Sequence, residues 1–274
     1  MTAYLQRELE TAIRLARRAV ESILDYYRTG LPVEHKAGDE PVTLADRVAD
    51  DLIRAGLQAA FPHDGLLTEE SDDDRSRLSK ERVWIVDPLD GTTEFITETG
   101  DFVVQIGLAV TGEPVLGVVY QPTADLLYYA VRGQGAYRLW DGQRQRLHVS
   151  ATADPRRMRL VASHAHYSPL VQEAQRVLGL ASVRRMGSVG LKAGTLAAGE
   201  CDLYLATTVA KEWDLCAPHA LVLEAGGKLT NLCGERLTYN KPQLSSCRGL
   251  IASNGQIHEH IVQALIPLVK RMYG

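Results

Sequence analysis

Apolar side chains recur at Leu5, Leu9, Ile13, Ala16, Val20, Ile23 and Tyr27, in steps of three and four. That spacing predicts an amphipathic helix over 4–28, ended by Gly30 and Pro32. Residues 33–42 are polar, hold Gly38 and Pro41, and read as a loop or loose hairpin. Leu44, Val48, Leu52 and Leu57 share one face of a second helix over 44–60, and Thr43-x-x-Asp46 before it has the capping-box form. The charged run 72–82 reads as a surface loop. Strand patterning then takes over at 83–87, 102–110, 114–120, 126–131 and 135–139, with a turn at Gly112-Glu113-Pro114, which predicts an antiparallel meander. Past residue 150 the pattern changes. Strands are expected at 159–163, 202–206, 227–230, 236–239 and 248–252, and helices at 170–178, 189–199, 215–225 and 256–272. The chain therefore reads as mixed α/β in two halves, 1–150 and 151–274, forming one compact unit without internal repeats.

Composition narrows the function. The 274 residues carry a net charge of −4, and 45% are hydrophobic and 23% charged, as in an ordinary globular protein. An acidic balance with no basic stripe argues against a nucleic-acid polymer as partner. A small anionic substrate stays open, because bound metal ions can supply local positive charge. Cys201, Cys216, Cys233 and Cys247 form no CxxC pair and read as reduced thiols of a cytoplasmic protein. The N-terminal stretch is charged throughout, so no secretory signal is expected. No apolar run approaches the roughly 18 residues of a membrane span.

The chemistry concentrates in Trp84-Ile85-Val86-Asp87-Pro88-Leu89-Asp90-Gly91-Thr92. An apolar strand ends in two carboxylates three residues apart. Pro88 removes a backbone donor and Gly91 permits a sharp turn, which can splay the carboxylates toward one point and free the Leu89 carbonyl. Thr92 would open a helix whose N–H groups favour phosphate. Position 88 is Pro where an aspartyl-phosphate phosphatase needs its nucleophilic Asp, so a phosphoenzyme is disfavoured. Glu69-Glu70 follows a short apolar segment, and Asp214 precedes a helix poor in charge. Glu69, Asp87, Asp90 and Asp214 are hard oxygen donors with no His or Cys beside them, which points to Mg²⁺ or Mn²⁺. Two such ions can serve a single displacement at phosphorus.

The combination of Glu69-Glu70, Asp87-Pro88-Leu89-Asp90-Gly91-Thr92, Trp213-Asp214 and Glu224-Ala225-Gly226-Gly227 resembles the inositol monophosphatase superfamily over nearly the whole chain. The resemblance implies a five-layer αβαβα sandwich and two or three Mg²⁺ ions. Glu69, Asp87 and the Leu89 carbonyl would hold one ion, and Asp87, Asp90 and Asp214 a second. Gly91 and Thr92 backbone groups would bind phosphate, Thr92 with Asp46 would activate the attacking water, and Glu70 would assist. Gly187-Ser188-Val189-Gly190-Leu191-Lys192, Lys211-Glu212-Trp213-Asp214-Leu215-Cys216-Ala217-Pro218 and Ser163-His164 are most similar to the 3′(2′),5′-bisphosphate nucleotidases of that superfamily. That likeness implies substrate contacts at Ser163, His164, Ser188, Lys192 and Asp214, with Lys192 balancing a second phosphate. Ala206 stands where inositol monophosphatases commonly place a ring-binding Glu and some nucleotidases an Arg. Inositol or fructose bisphosphate phosphatase activity is the alternative. A homodimer is expected from the resemblance alone.

Overall fold

The structure is a computed structural model and describes residues 5–29, 34–35, 41–164 and 168–273. Helices α1 (Gln6–Tyr26) and α2 (Leu44–Ala60) occupy the two predicted amphipathic runs. Leu9, Ala12, Leu15, Ala19 and Ile23 on α1, and Ala45, Ala49, Ile53 and Leu57 on α2, are the buried stripes, as the 3.6-residue period requires. Between them β1 (Glu34–His35) pairs antiparallel with β2 (Pro41–Val42). Residues 36–40 of the expected loop lie outside the described residues.

The meander is a seven-stranded sheet in chain order: β3 (Gly65–Thr68), β4 (Arg82–Asp90), β5 (Val103–Val110), β6 (Glu113–Gln121), β7 (Leu126–Val131), β8 (Gly135–Trp140) and β9 (Gln143–Leu147). Only β3 and β4 run parallel. The short helix α3 (Thr92–Ile96) links β4 to β5. Strand β9, Gln-Arg-Gln-Arg-Leu, escaped the sequence pattern because its first four residues are all polar and exposed. Its ladder with β8 at the sheet edge defines it.

The second sheet is built from β10 (Arg159–Ser163), β11 (Ser182–Met186), β12 (Leu203–Lys211), β13 (Lys228–Asn231) and β14 (Ser245–Ser253), ordered β11-β10-β12-β14-β13. Helices α4 (Pro169–Leu178), α5 (Val189–Ala197), α6 (Glu212–Glu224) and α7 (His258–Tyr273) complete the chain. The strand expected at 236–239 is reduced to a single bridge, Thr230 to Arg236. Strand β11, Ser-Val-Arg-Arg-Met, is exposed on most of its residues and gave no alternation to read.

Three clusters of buried residues fill the four interfaces between five layers, the central cluster lying on both sides of α5 and α6. Trp84, Val86, Val104 and Ile106 pack beneath α1 and α2. Val83, Ile85, Val103 and Val119 face α5 and α6, which lie between the sheets. Met158, Leu160, Leu170, Ile261 and Leu265 join the far side of the second sheet to α4 and α7. This is the αβαβα sandwich. Helix α6 reaches the first sheet through a groove at the directly paired Gly107 and Gly117. A Cβ on Gly107 would stand 2.7 Å from Cys216 Sγ, and one on Gly117 2.3 Å from the Ala217 carbonyl. That approach brings Asp214, at the start of α6, against the sheet that carries Asp87.

The charged run 72–82 is a mostly exposed surface loop with one buried exception. It contains a 3₁₀ turn, Ser76–Ser79, whose Arg77 is fully buried. Arg77 donates to Asp73 Oδ1 (3.0 Å) and Oδ2 (2.8 Å), to Asn240 Oδ1 (2.9 Å) and to the Lys241 carbonyl (3.0 Å). Asn240 N and Lys241 N in turn donate to the Glu212 carboxylate at 2.7 and 2.9 Å. Five polar groups thus join the Glu69-Glu70 loop to the start of α6. Arg77→Met leaves the half-buried Asp73, Asn240 and Lys241 acceptors without their donor, a loss of about 2 kcal/mol that urea unfolding will measure.

Candidate active site

The apolar residues of β4 drive the strand through the sheet until the register with β5 shifts between Asp87 and Asp90. The chain turns at Gly91, whose φ of +104° is left-handed and open mainly to glycine. Asp87 is folded back so that its Oδ1 accepts the Leu89 N–H at 3.0 Å. Asp90 Oδ2 accepts the Ser188 hydroxyl, and the Gly190 N–H at 2.9 Å. Ser188 holds a φ of 50°, a strained backbone for a residue with a Cβ, while its Oγ also accepts Leu191 N–H at 3.1 Å. Strand end and α5 start are thereby tied together. Asp214 Oδ2 caps α6 by accepting Lys211 N–H at 2.7 Å.

A cavity of about 660 Å³ opens here, lined by Glu69, Asp87, Leu89, Asp90 and Asp214 together with Gly91, Thr92 and Thr93. The second half of the chain adds Ser163, Tyr204, Ala206, Thr207, Thr208, Val209, Lys211 and Trp213 to the lining. Burial pushes the Asp87 carboxyl well above the ordinary range, and the charges of Glu69, Asp90 and Asp214 push it further. Burial also raises Asp90, against Lys192, Ser188 and Gly190, which hold it down. A buried carboxylate facing three others is a strong field for a cation. Among the described residues no three His, Cys, Asp or Glu side chains make a ready metal-holding group. The four carboxylates line one cavity, and the charges of Glu69, Asp90 and Asp214 all act on Asp87. The all-oxygen donor set with an adjacent backbone carbonyl fits Mg²⁺, which keeps several waters and substrate oxygens as ligands.

Thr92 Oγ1 donates to Asp46 Oδ1 at 3.0 Å, with the Leu89 carbonyl at 3.3 Å. Asp46 Oδ2 accepts both Thr43 N–H (2.8 Å) and Thr43 Oγ1 (2.6 Å). The expected capping box is therefore present, and the same carboxylate serves both the cap and Thr92. Burial raises its proton affinity against those hydrogen bonds.

Ser163, Ser188 and Lys192 line the cavity, but not in equal ways. Lys192 is buried, and its Nζ donates to the carbonyls of Gly187 (3.1 Å) and Met186 (3.5 Å). Burial lowers it to about 8 against the pull of Asp90, Glu94 and Asp101. His164 is exposed and absent from the lining, as is Glu70, which is half-buried. The sequence reading missed the Thr207-Thr208-Val209 wall. It rests on a register shift in β12 between Ala206 and Val209, which no local pattern announces. It also gave Lys211 no role, although the Lys-Glu-Trp-Asp run flagged its neighbourhood.

With that geometry in hand, comparison with known proteins is informative. The inositol monophosphatase family model matches residues 5–269. The 3′(2′),5′-bisphosphate nucleotidase CysQ of Salmonella typhimurium is 37% identical over 234 residues, 84% of this chain and 93% of that protein. The IMPase of Thermotoga maritima superposes with a TM-score of 0.83 at 28% identity, over 97% of this chain and 99% of its own. CysQ from Bacteroides thetaiotaomicron, described as a bacterial member of the inositol monophosphatase family, gives 0.77 at 31% identity over 92% and 98%. A match spanning nearly every layer of the sandwich, and both sides of the acidic cavity, means that the chain belongs to the inositol monophosphatase family.

Proposed function

We propose that this chain is a Mg²⁺-dependent phosphomonoesterase that removes the 3′-phosphate of adenosine 3′,5′-bisphosphate, and of its 5′-phosphosulfate form, by direct attack of water. The observation that carries the reading is Asp87, buried and crowded by Glu69, Asp90 and Asp214. Such a group is best explained as one half of a charge pair whose other half is a divalent cation. Glu69, Asp87 and the Leu89 carbonyl would hold one ion, and Asp87, Asp90 and Asp214 another. Bound ions supply positive charge to the phosphate and leaving oxygen and make water more acidic.

The chain's own groups do the rest. The first-turn N–H groups of Gly91 and Thr92 meet the phosphate oxygens. The Thr92 hydroxyl, donating to Asp46 at 3.0 Å, keeps its lone pairs for the attacking water. Asp46, its proton affinity raised by burial, takes the proton passed through Thr92. The 37% identity to a bisphosphate nucleotidase supports the substrate. So does Ala206 on the cavity wall, where a carboxylate would repel a second phosphate. With Lys192 engaged by carbonyls, the second phosphate falls to Lys211. That residue is half-buried on the wall. Lys211→Ala should raise KM for the bisphosphate about 10-fold, the order of one charge-assisted contact, and leave KM for 3′-AMP within 2-fold.

Rates of phosphate release from adenosine 3′,5′-bisphosphate, inositol 1-phosphate and fructose 1,6-bisphosphate, measured side by side with Mg²⁺, test the substrate. The highest kcat/KM on the nucleotide is expected. A preference for inositol or fructose phosphate would replace this reading with the alternative phosphatase.

A further inference from the structure

Gln105 is the lone polar residue of β5, Val-Val-Gln-Ile-Gly-Leu-Ala-Val. Its side chain is fully buried, and neither the amide nitrogen nor the amide oxygen has a hydrogen-bond partner among the described residues. An interior amide in that state costs about 1–3 kcal/mol for each group left unmade, so folding alone gives no reason for it. An apolar side chain of the same size would serve the core better.

Its neighbours point to the reason. On the antiparallel ladders Gln105 stands directly opposite Asp87 of β4 on one side and Val119 of β6 on the other. Opposed residues project from the same face with Cβ atoms about 5 Å apart. Val103 shares that face, and Gly190 of α5 closes it, since a Cβ there would stand 3.3 Å from Gln105 Cδ. The Gly190 N–H is taken by Asp90. Asp87 is thus the polar partner on the ladder, and its Oδ1 accepts the Leu89 N–H. The terminal torsion of a glutamine is soft, so either end of the amide can be turned toward its cross-strand neighbour.

We infer that Gln105 is a positioning residue for Asp87: its Nε2–H donates to that carboxylate in the ionised, cation-holding form and fixes its direction from beneath. The inference rests on the proposed role of Asp87 as a ligand. Groups that orient metal-binding side chains in this way typically change affinity 10- to 100-fold when removed.

Gln105→Leu and Gln105→Met separate this from a packing role. Mn²⁺ is titrated calorimetrically into metal-free protein, and the unfolding midpoint is taken in EDTA. Both variants should be as stable as the wild type or more so, with the Mn²⁺ dissociation constant raised at least 10-fold and kcat lowered. At saturating Mn²⁺, KM should stay within 2-fold. Wild-type uptake of Mn²⁺ with unchanged affinity in both variants overturns the Gln105 assignment alone. Loss of stability in EDTA in both variants also overturns it, since the amide then has a structural partner. A wild type that takes up no Mn²⁺ overturns the ligand role of Asp87 and this inference with it.

Discussion

Asp90→Asn lowers phosphate release from adenosine 3′,5′-bisphosphate by roughly 1,000-fold or more, while circular dichroism and the unfolding midpoint stay close to the wild type. The two halves of that expectation have separate causes. The amide oxygen of Asn can still accept from Ser188 Oγ and from Gly190 N–H, the bonds that tie β4 to α5. Burial already makes the charge of Asp90 unfavourable in the protein alone, so neutralising it costs the fold little. The reaction loses far more. A neutral amide is a poor ligand for a hard divalent cation, and electrostatic stabilisation at a transferring phosphoryl group carries several kcal/mol of the barrier. Steady-state release by purified protein decides the point. A variant that keeps a tenth of wild-type activity would remove Asp90 from the site.

Asp87→Asn has the opposite effect on the metal-free protein: in EDTA near pH 7.5 the variant is more stable by about 2 kcal/mol, the order of one uncompensated buried charge. Burial, then Glu69, Asp90 and Asp214, raise the folded-state proton affinity of Asp87. The folded protein holds this proton more tightly than the unfolded chain does. Its contribution is therefore complete below the free Asp value of about 3.9 and is lost as pH rises through the elevated folded value. Denaturant midpoints in EDTA should accordingly fall from mildly acid to mildly alkaline pH in the wild type, and fall less in Asp87→Asn. Mg²⁺ should reverse the order. At 100 times its dissociation constant a ligand adds about 2.7 kcal/mol, and only the wild type should gain it. A variant no more stable than wild type in EDTA would mean that the four carboxylates do not share one field.

Much of this site was legible before any coordinates. The 3.6-residue stripes fixed α1 and α2, and Asp87-Pro88-Leu89-Asp90-Gly91-Thr92 located the end of β4, because Pro, Gly and acid at a strand end are local chemistry. What stayed hidden depends on pairs distant in sequence. Strands β9 and β11 exist through their neighbours and carry too little apolar alternation to declare themselves. Lys192, which the family resemblance marked as a phosphate contact, lines the cavity, and only the structure shows that its ammonium also donates to the carbonyls of Met186 and Gly187. Arg77 sat in what read as a solvated charge run and is fully buried. Gly107 and Gly117 were visible as residues, but only their pairing across the ladder makes the groove for α6. Gln105 in an apolar run, like Lys211 beside Trp213-Asp214, was an overlooked signal that the sequence did carry.

The central claim is that carboxylates from β4, from the end of β3 and from the start of α6 act together through divalent cations on a phosphate ester. The initial rate of phosphate release from adenosine 3′,5′-bisphosphate, followed as Mg²⁺ is raised from EDTA-stripped conditions to millimolar levels, tests it most directly. The expected curve starts at the uncatalysed rate and climbs to saturation. A rate indifferent to chelation, or no release at any Mg²⁺ concentration, would contradict it.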